Sequence, residues 1–386
     1  MGFEMKILLY DMGAFTQNDL IHCLNKRGIS YRNVYYKFRN IYEDDFFCRR
    51  FATYLTADDY DFVLSINFFP LVARLCHEHG IRYLSWSYDS PLSNKKYDFF
   101  HYPTNDIFIF DRLECERLKK QGFDSVHHLP LGVSVDRLGA VVPGDADMAK
   151  YSCDVSLVGQ IYQSQLAEIK APLSEYDKGF IDSITAAQRL LYGCYFVDEL
   201  LSAELIERIR VSHARAGQEI DMDQAGLSIA IATQIAASER LGLLELMGRR
   251  FRTLLFSRHV PAIPEGVSYL GAIGYFDEMP KIFKLSKINL NPTLRSIRSG
   301  IPLRALDILG SGALLLSNYQ HELVEHFIPG EEVVVYESIE DAAAKAEYYI
   351  RHDDERDRIA QNGRRKLCEH FSFDAQLQKM FAMSRV

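Results

Sequence analysis

Residues 286–312 read SKINLNPTLRSIRSGIPLRALDILGSG. Ile288 and Leu290 mark a buried strand that ends at Asn291, a loop then carries Arg295, Arg298 and Gly300, and a helix opens at Pro302, whose missing N–H costs nothing in a first turn. This order sets first-turn N–H groups and a positive dipole end beside three guanidiniums, Arg304 in the first turn being the third. Such an arrangement suits a diphosphate. Asp307 stands one to two turns into the helix, where a carboxylate can accept hydrogen bonds from two adjacent ribose hydroxyls. The same spacing admits a plainer reading, with Arg295 and Arg298 as solvated loop charges and Asp307 paired with Arg304 at i, i+3.

Strand and helix alternate on both sides of this stretch. KILLYDM at 6–12, DFVLSINF at 61–68, IRYLSWS at 81–87, DIFIFD at 106–111 and VHHLPL at 126–131 are apolar runs, separated by helical patterns that stop at Gly28, Gly80 and Gly122. The rhythm resumes with DVSLVG at 154–159, then at 251–257, 267–271, 288–291, 313–317 and 332–336. Continuous apolar strands alternating with helices predict parallel sheets covered on both faces. The fold class is therefore α/β, with two Rossmann-like doubly wound domains facing a cleft at the carboxyl ends of their strands. Residues 1–150 form the first domain and 151–365 the second, which carries a nearly unbroken helical insertion at about 165–250. Residues 366–386 form a closing helix expected to cross back to the first domain, and AVVPGDADMA at 140–149 is the expected hinge.

The 386 residues carry 44 Lys+Arg against 52 Asp+Glu, a formal net charge of −8. With no basic block to track phosphates, nucleic acid is not the expected partner. No stretch approaches ~18 uninterrupted apolar residues, so no membrane span is expected. The N-terminus lacks a basic leader with an apolar run, and the seven cysteines are scattered without a C-x-x-C pair. A cytoplasmic protein with reduced thiols is the expectation. No H-E-x-x-H or EF-hand pattern is present, so no metal site is expected.

The stretch at 286–312 resembles the C-terminal half of the group 1 glycosyltransferases of the GT-B fold, in particular the spore-maturation-protein-like branch. There a strand of the type I-N-L-N precedes G-x-P-x-R-x-x-E-x-x-x-x-G and a helix-rich tail. SWSYDSPL at 85–92, FIFDR at 108–112, LPLGV at 129–133, SERLGLLEL at 238–246 and YLGAIGYFDEMP at 269–280 extend the resemblance over nearly the whole chain. It implies transfer of a sugar from a nucleoside-diphosphate sugar, a UDP-sugar being the leading expectation, to the hydroxyl of a glycan, protein or small-molecule acceptor. No cofactor or metal is implied, because arginines and a helix end meet the charge of the leaving diphosphate.

Carried over by position, the resemblance gives a donor-binding set of Gly159, Tyr275, Asn291, Arg295, Arg298, Gly300, Ile301 and Asp307. Gly159 brings backbone close to the phosphates, Tyr275 lines the nucleobase pocket and Asp307 holds the ribose. The family's usual Glu is replaced by Asp307, and a second Glu that touches the sugar in many members is replaced by Ser299. Arg304 and Asp89 are the expected catalytic residues. Asp89, after a strand and before Ser90-Pro91, is placed to take the proton of an attacking hydroxyl, or to cap the turn. Gly13 and Trp86 are the expected acceptor-binding residues, by close backbone approach and by indole stacking on a sugar, against the plainer readings of a tight-turn glycine and of a core tryptophan beside Tyr88. A catalytically idle sugar-nucleotide binder or surface-assembly protein on the same fold is the alternative, with a sugar-nucleotide epimerase on the same architecture as a third reading.

Overall fold

The central apolar runs become strands because they are buried on both faces. The computed structural model describes residues 5–92 and 96–385. It divides into two units, one of Met1–Asp136 with Leu367–Val386 and one of Arg137–Lys366.

Among the described residues of the first unit, six strands form one parallel sheet: β1 (Lys6–Asp11), β2 (Ser30–Tyr35), β3 (Phe62–Ile66), β4 (Arg82–Ser87), β5 (Asn105–Ile109) and β6 (Val126–His128). Their order is β2-β1-β3-β4-β5-β6. The direction of strand addition reverses between β1 and β3, which places the loops after these two strands, at Gly13 and Asn67, at the switch point where doubly wound sheets bind ligands. All five residues of β3 are buried, whereas the edge strand β2 buries only Val34. That is why β2 shows no apolar run and escapes the sequence reading. The helix Asp45–Leu55 is capped by Asp44, whose side chain accepts from the Phe47 N–H at 2.9 Å, and buries Phe47, Phe51 and Leu55. The final helix Phe373–Ser384 packs here as well: Phe373 meets Trp86 edge-on at 5.2 Å, and Asp374 accepts from Arg27 Nε at 2.5 Å.

The second unit contains β7 (Cys153–Val158), β8 (Thr253–Phe256), β9 (Val267–Tyr269), β10 (Ser286–Asn291), β11 (Leu315–Asn318) and β12 (Val334–Tyr336), in the order β12-β11-β10-β7-β8-β9. Here the reversal falls between β7 and β10. Gly159 and the loop at 292–302 follow those two strands and meet at the unit's switch point.

The crossover from β7 to β8 is the helical insertion. Its nearly unbroken pattern resolves into five helices, because Ser174, Ser202 and Asp223 each accept a backbone N–H and start a new one. The helix Gln224–Gly248 is long and apolar enough to cross a membrane by composition alone. It is an interior helix here: Leu227, Ile231 and Ile235 fill the insertion's core, while Leu243, Leu244 and Met247 fill the core beside the sheet.

The expected hinge at 140–149 is corrected. Residues from Asp145 onward are helical, Asp147 accepts from the Gly144 N–H at 2.9 Å and pairs with Lys281 at 3.0 Å, and Lys284 Nζ donates to the carbonyls of Leu138 (2.8 Å) and Val141 (2.5 Å). The segment is pinned onto the second unit, and the units part at Asp136 and Arg137.

Candidate functional site

In the second unit the loop at 292–302 is tied down along its length. Thr293 N–H donates to Asn318 Oδ1 at 2.8 Å, Arg240 Nη2 to the Pro292 carbonyl at 2.7 Å, and Gln320 Nε2 to the carbonyls of Ile297 (3.1 Å) and Gly300 (3.3 Å). Ser299 is fully buried and donates to Glu322 Oε1 at 2.7 Å. Ser299 is therefore a loop anchor. Asn291 is also internal: its amide donates to Thr293 Oγ1 at 3.1 Å and Ser317 Oγ at 2.9 Å, joining β10 to β11.

The three arginines do not share one environment, which corrects the picture of a triple guanidinium cluster. Arg295 lies in the core, its Nη2 3.0 Å from Glu239 Oε2 and its guanidinium 3.9 Å from the centre of the Tyr192 ring; the two side chains of the pair are 5% and 1% exposed. Glu239 Oε1 in turn accepts from Tyr336 Oη at 3.0 Å. Arg295 is thus a structural ion rather than a phosphate ligand. Arg298 is held by the insertion, paired with Asp198 and stacked 4.1 Å over Tyr195. Asp198 also accepts from Ser228 Oγ at 2.5 Å.

Arg304 is the arginine at the helix opening. Pro302 stands at the N-cap of Leu303–Gly310 without a side-chain acceptor; its carbonyl takes the Ala305 N–H at 3.0 Å, which leaves the Leu303 and Arg304 N–H groups without an acceptor inside the helix. Arg304 Nη1 lies 3.4 Å from Asp307 Oδ2 and touches Met279 Sδ. Asp307 Oδ1 accepts from Tyr275 Oη at 3.0 Å. Tyr275, Asp307 and Arg304 therefore form one cluster at the switch point. The i, i+3 pairing foreseen for Arg304 and Asp307 is present, but Asp307 is fully buried rather than exposed, so a ribose contact is not open in this arrangement. One face of Tyr275 is covered by Arg137, whose guanidinium lies 5.0 Å from the ring centre. The turn before Tyr275 is set by Glu278, which accepts from the Gly274 N–H (2.8 Å) and Tyr151 Oη (2.7 Å), bonds that hold its carboxyl below the usual range.

Gly159 extends from β7, and a Cβ there would stand 3.3 Å from Arg240 Nη1, which donates to the Gln160 carbonyl at 2.5 Å. Gly300 and Ile301 are buried at the end of the loop. Arg137, Arg240, Glu239 and Asp198 were not singled out from sequence. The only trace of them was the SERL at 238–241, whose acid and base both point inward.

In the first unit Asp89 is open to solvent on one side, and Asn67 Nδ2 donates to its Oδ2 at 3.2 Å. Asn67 holds φ of +66°, a conformation few residues other than glycine and asparagine tolerate. Its Oδ1 accepts from the Tyr88 N–H at 2.8 Å, so one strained asparagine after β3 fixes the turn after β4. Gly13 has φ of +92°, and its N–H donates to Asp11 Oδ1 at 2.6 Å. Trp86 is corrected: it is completely buried between Tyr88 and Phe373 and offers no indole face to a sugar.

Desolvation raises the Asp89 carboxyl above its usual value, and the Asn67 amide pulls it part of the way back. A carboxyl raised by folding ionises first in the unfolded chain. Stability contributed by the neutral form is therefore lost as pH climbs from the unfolded value near 3.8 through the folded one. Asp89→Asn is expected to leave the urea midpoint unchanged at pH 3 and to raise it slightly at pH 7. A lower midpoint at pH 7 than wild type would count against this desolvation.

Residues 236–382 match a family model described as glycosyl transferase-like. No curated protein matches the chain. Among solved structures, it is similar to sucrose-phosphate synthase from Thermosynechococcus elongatus, at 10% identity and a TM-score of 0.59 over 99% of this chain and 98% of that one. HepE of Anabaena, crystallised with UDP and glucose, gives 10% identity and a TM-score of 0.52 over 99% and 100%. A glycosyltransferase from Rickettsia africae gives 11% identity and 0.52 over 98% and 97%. The fold is GT-B.

Proposed function

We propose that this chain is a metal-independent glycosyltransferase of the spore-maturation-protein-like branch, which moves a sugar from a UDP-sugar to an acceptor hydroxyl. The observation that carries the reading is Arg304, in the first turn of the helix after β10, joined to Asp307 and Tyr275 at the switch point. It falls inside the segment that matches the glycosyl transferase-like model. UDP in the crystal of HepE supports a uridine donor. All seven cysteines are free, which suits the reducing cytoplasm.

In the reaction the acceptor oxygen forms a bond to the anomeric carbon while the bond from that carbon to the diphosphate oxygen breaks. The electron pair of the broken bond stays on the diphosphate, where Arg304, Arg298 and the helix opening meet its charge. The acceptor's proton goes to Asp89, oriented by Asn67; in a retaining course the departing diphosphate oxygen takes the proton and Asp89 positions substrate instead. Arg298 reaches the diphosphate by exchanging Asp198 for phosphate oxygens.

A second reading, a sugar-nucleotide binder without turnover, draws on the burial of Asp307 and on Ser299 serving as an anchor. Thermal shift with UDP, GDP, dTDP and CMP and their sugars tests both. UDP at about 100 times its dissociation constant is expected to add roughly 2.7 kcal/mol of stability. UDP release from UDP-glucose in the presence of acceptors then separates transfer from binding, and no shift with any nucleotide overturns both readings.

A further inference from the structure

We propose that the recess between the edge strand β2 and the helix Asp45–Leu55 binds an anionic sugar, one bearing a phosphate or a carboxylate. The recess encloses about 230 Å³. That is below the roughly 300–1,000 Å³ of pockets for drug-sized ligands, a scale that fits a single sugar. Arg32 stands 4.5 Å above the Tyr54 ring, Arg50 stands 6.0 Å from the same ring, and Arg50 Nε donates to Tyr54 Oη at 3.1 Å. One tyrosine thus gathers two guanidiniums, both permanently charged.

Among the described residues no carboxylate lies within 4 Å of either guanidinium. Of the nearby acids, Asp58 pairs with Lys6 and also feels the charge of Arg32 at longer range, while Asp44 accepts from Tyr36 Oη at 2.8 Å and the Phe47 N–H at 2.9 Å. Lys37, Arg39 and Arg49 add positive charge to the same stretch of a chain whose net charge is −8. Cations on an edge strand also deter pairing with other chains, but that purpose is met by side chains extended into water. Arg32 and Arg50 are both solvent-exposed, and Arg32 lies over the Tyr54 ring of the helix rather than extending away from it. A phosphate or carboxylate in the recess is met by both charges, and the guanidinium fork matches either one.

Tyr35 also lines the recess and leads from it to the carboxyl end of β1. A Cβ on Gly13 would lie 3.7 Å from the Tyr35 ring and 3.6 Å from Lys37 Cε. On the glycosyltransferase reading, which this step alone requires, the ligand is the acceptor, and the acceptor is negatively charged. The anion affinity itself stands apart from that reading.

Calorimetry on the full chain with glucose 6-phosphate, glucuronate, inorganic phosphate and glucose tests the proposal. Glucose 6-phosphate and glucuronate are expected to bind, more weakly as salt rises, with glucose silent and inorganic phosphate weaker than its sugar ester. Arg32→Gln combined with Arg50→Gln is expected to lower both affinities by roughly tenfold or more while leaving the thermal shift with UDP unchanged. Tyr54→Phe, which keeps the ring and loses the Arg50 contact, is expected to weaken binding a few-fold. No binding of either anionic sugar, unchanged binding in the double variant, or inorganic phosphate binding as tightly as its ester overturns the proposal. Anion binding without any response to UDP sustains the recess and sinks the glycosyltransferase reading instead.

Discussion

Glu239→Leu is expected to lower the stability of the protein by about 3–5 kcal/mol, measured by urea denaturation, because it strands Arg295 as an uncompensated charge in the core. Arg295 has Glu239 at 3.0 Å and the Tyr192 ring at 3.9 Å, and its Nε has no hydrogen-bond partner among the described residues. The loss of Glu239 also removes the acceptor of the Tyr336 hydroxyl, which burial already holds in its neutral form. The double variant Glu239→Leu, Arg295→Met is expected to recover most of the loss, since apolar replacement of a whole buried pair is close to neutral. The cycle isolates the coupling energy. A single-variant loss below about 1 kcal/mol would show that Arg295 finds water or another partner, and would return it to the set of arginines able to reach a ligand.

How far the sequence could be read follows from what burial does to it. Strands β3, β4, β7 and β10 show as apolar runs because helices cover both faces, and Trp86 takes the core position that its apolar strand favours over a sugar contact. In a parallel sheet covered on both sides, a strand residue has no free face to offer a ligand. Strand β2 left no apolar run because it buries one residue, yet its exposed side carries the arginine that shapes the recess against Tyr54. The motif after β10 located the switch-point loop and Arg304. It could not reveal that Arg295 is neutralised 56 positions away by Glu239, or that Arg298 is held 100 positions away by Asp198. Such pairings depend on the path of the insertion, which local spacing does not encode. Asn67 gave only its identity as a hint, since asparagine tolerates positive φ, and its hold on Asp89 crosses from one strand end to the next.

Arg304→Ala is expected to reduce kcat/KM for sugar transfer by about 10²–10³-fold, the range for removing one preorganised donor to a developing negative charge. Arg304→Lys is expected to fall in between, keeping the charge but losing the planar fork. The alanine variant carries a confounding effect that the structure makes explicit. Arg304 is the cation beside the fully buried Asp307, whose other oxygen accepts from Tyr275, so the single substitution destabilises the fold as well as the reaction. Adding Asp307→Asn removes the stranded charge while keeping an acceptor for the tyrosine hydroxyl. The pair Arg304→Ala, Asp307→Asn is therefore expected to regain thermal stability without regaining transfer. UDP affinity measured by titration in the same variant divides ground-state binding from the chemical step: a loss of kcat with little change in UDP affinity places Arg304 on the leaving group in the transition state, whereas parallel losses make it a binding residue. Wild-type turnover in the stabilised double variant would remove Arg304 from the reaction, and with it the assignment of the helix opening after β10 as the place where the diphosphate departs.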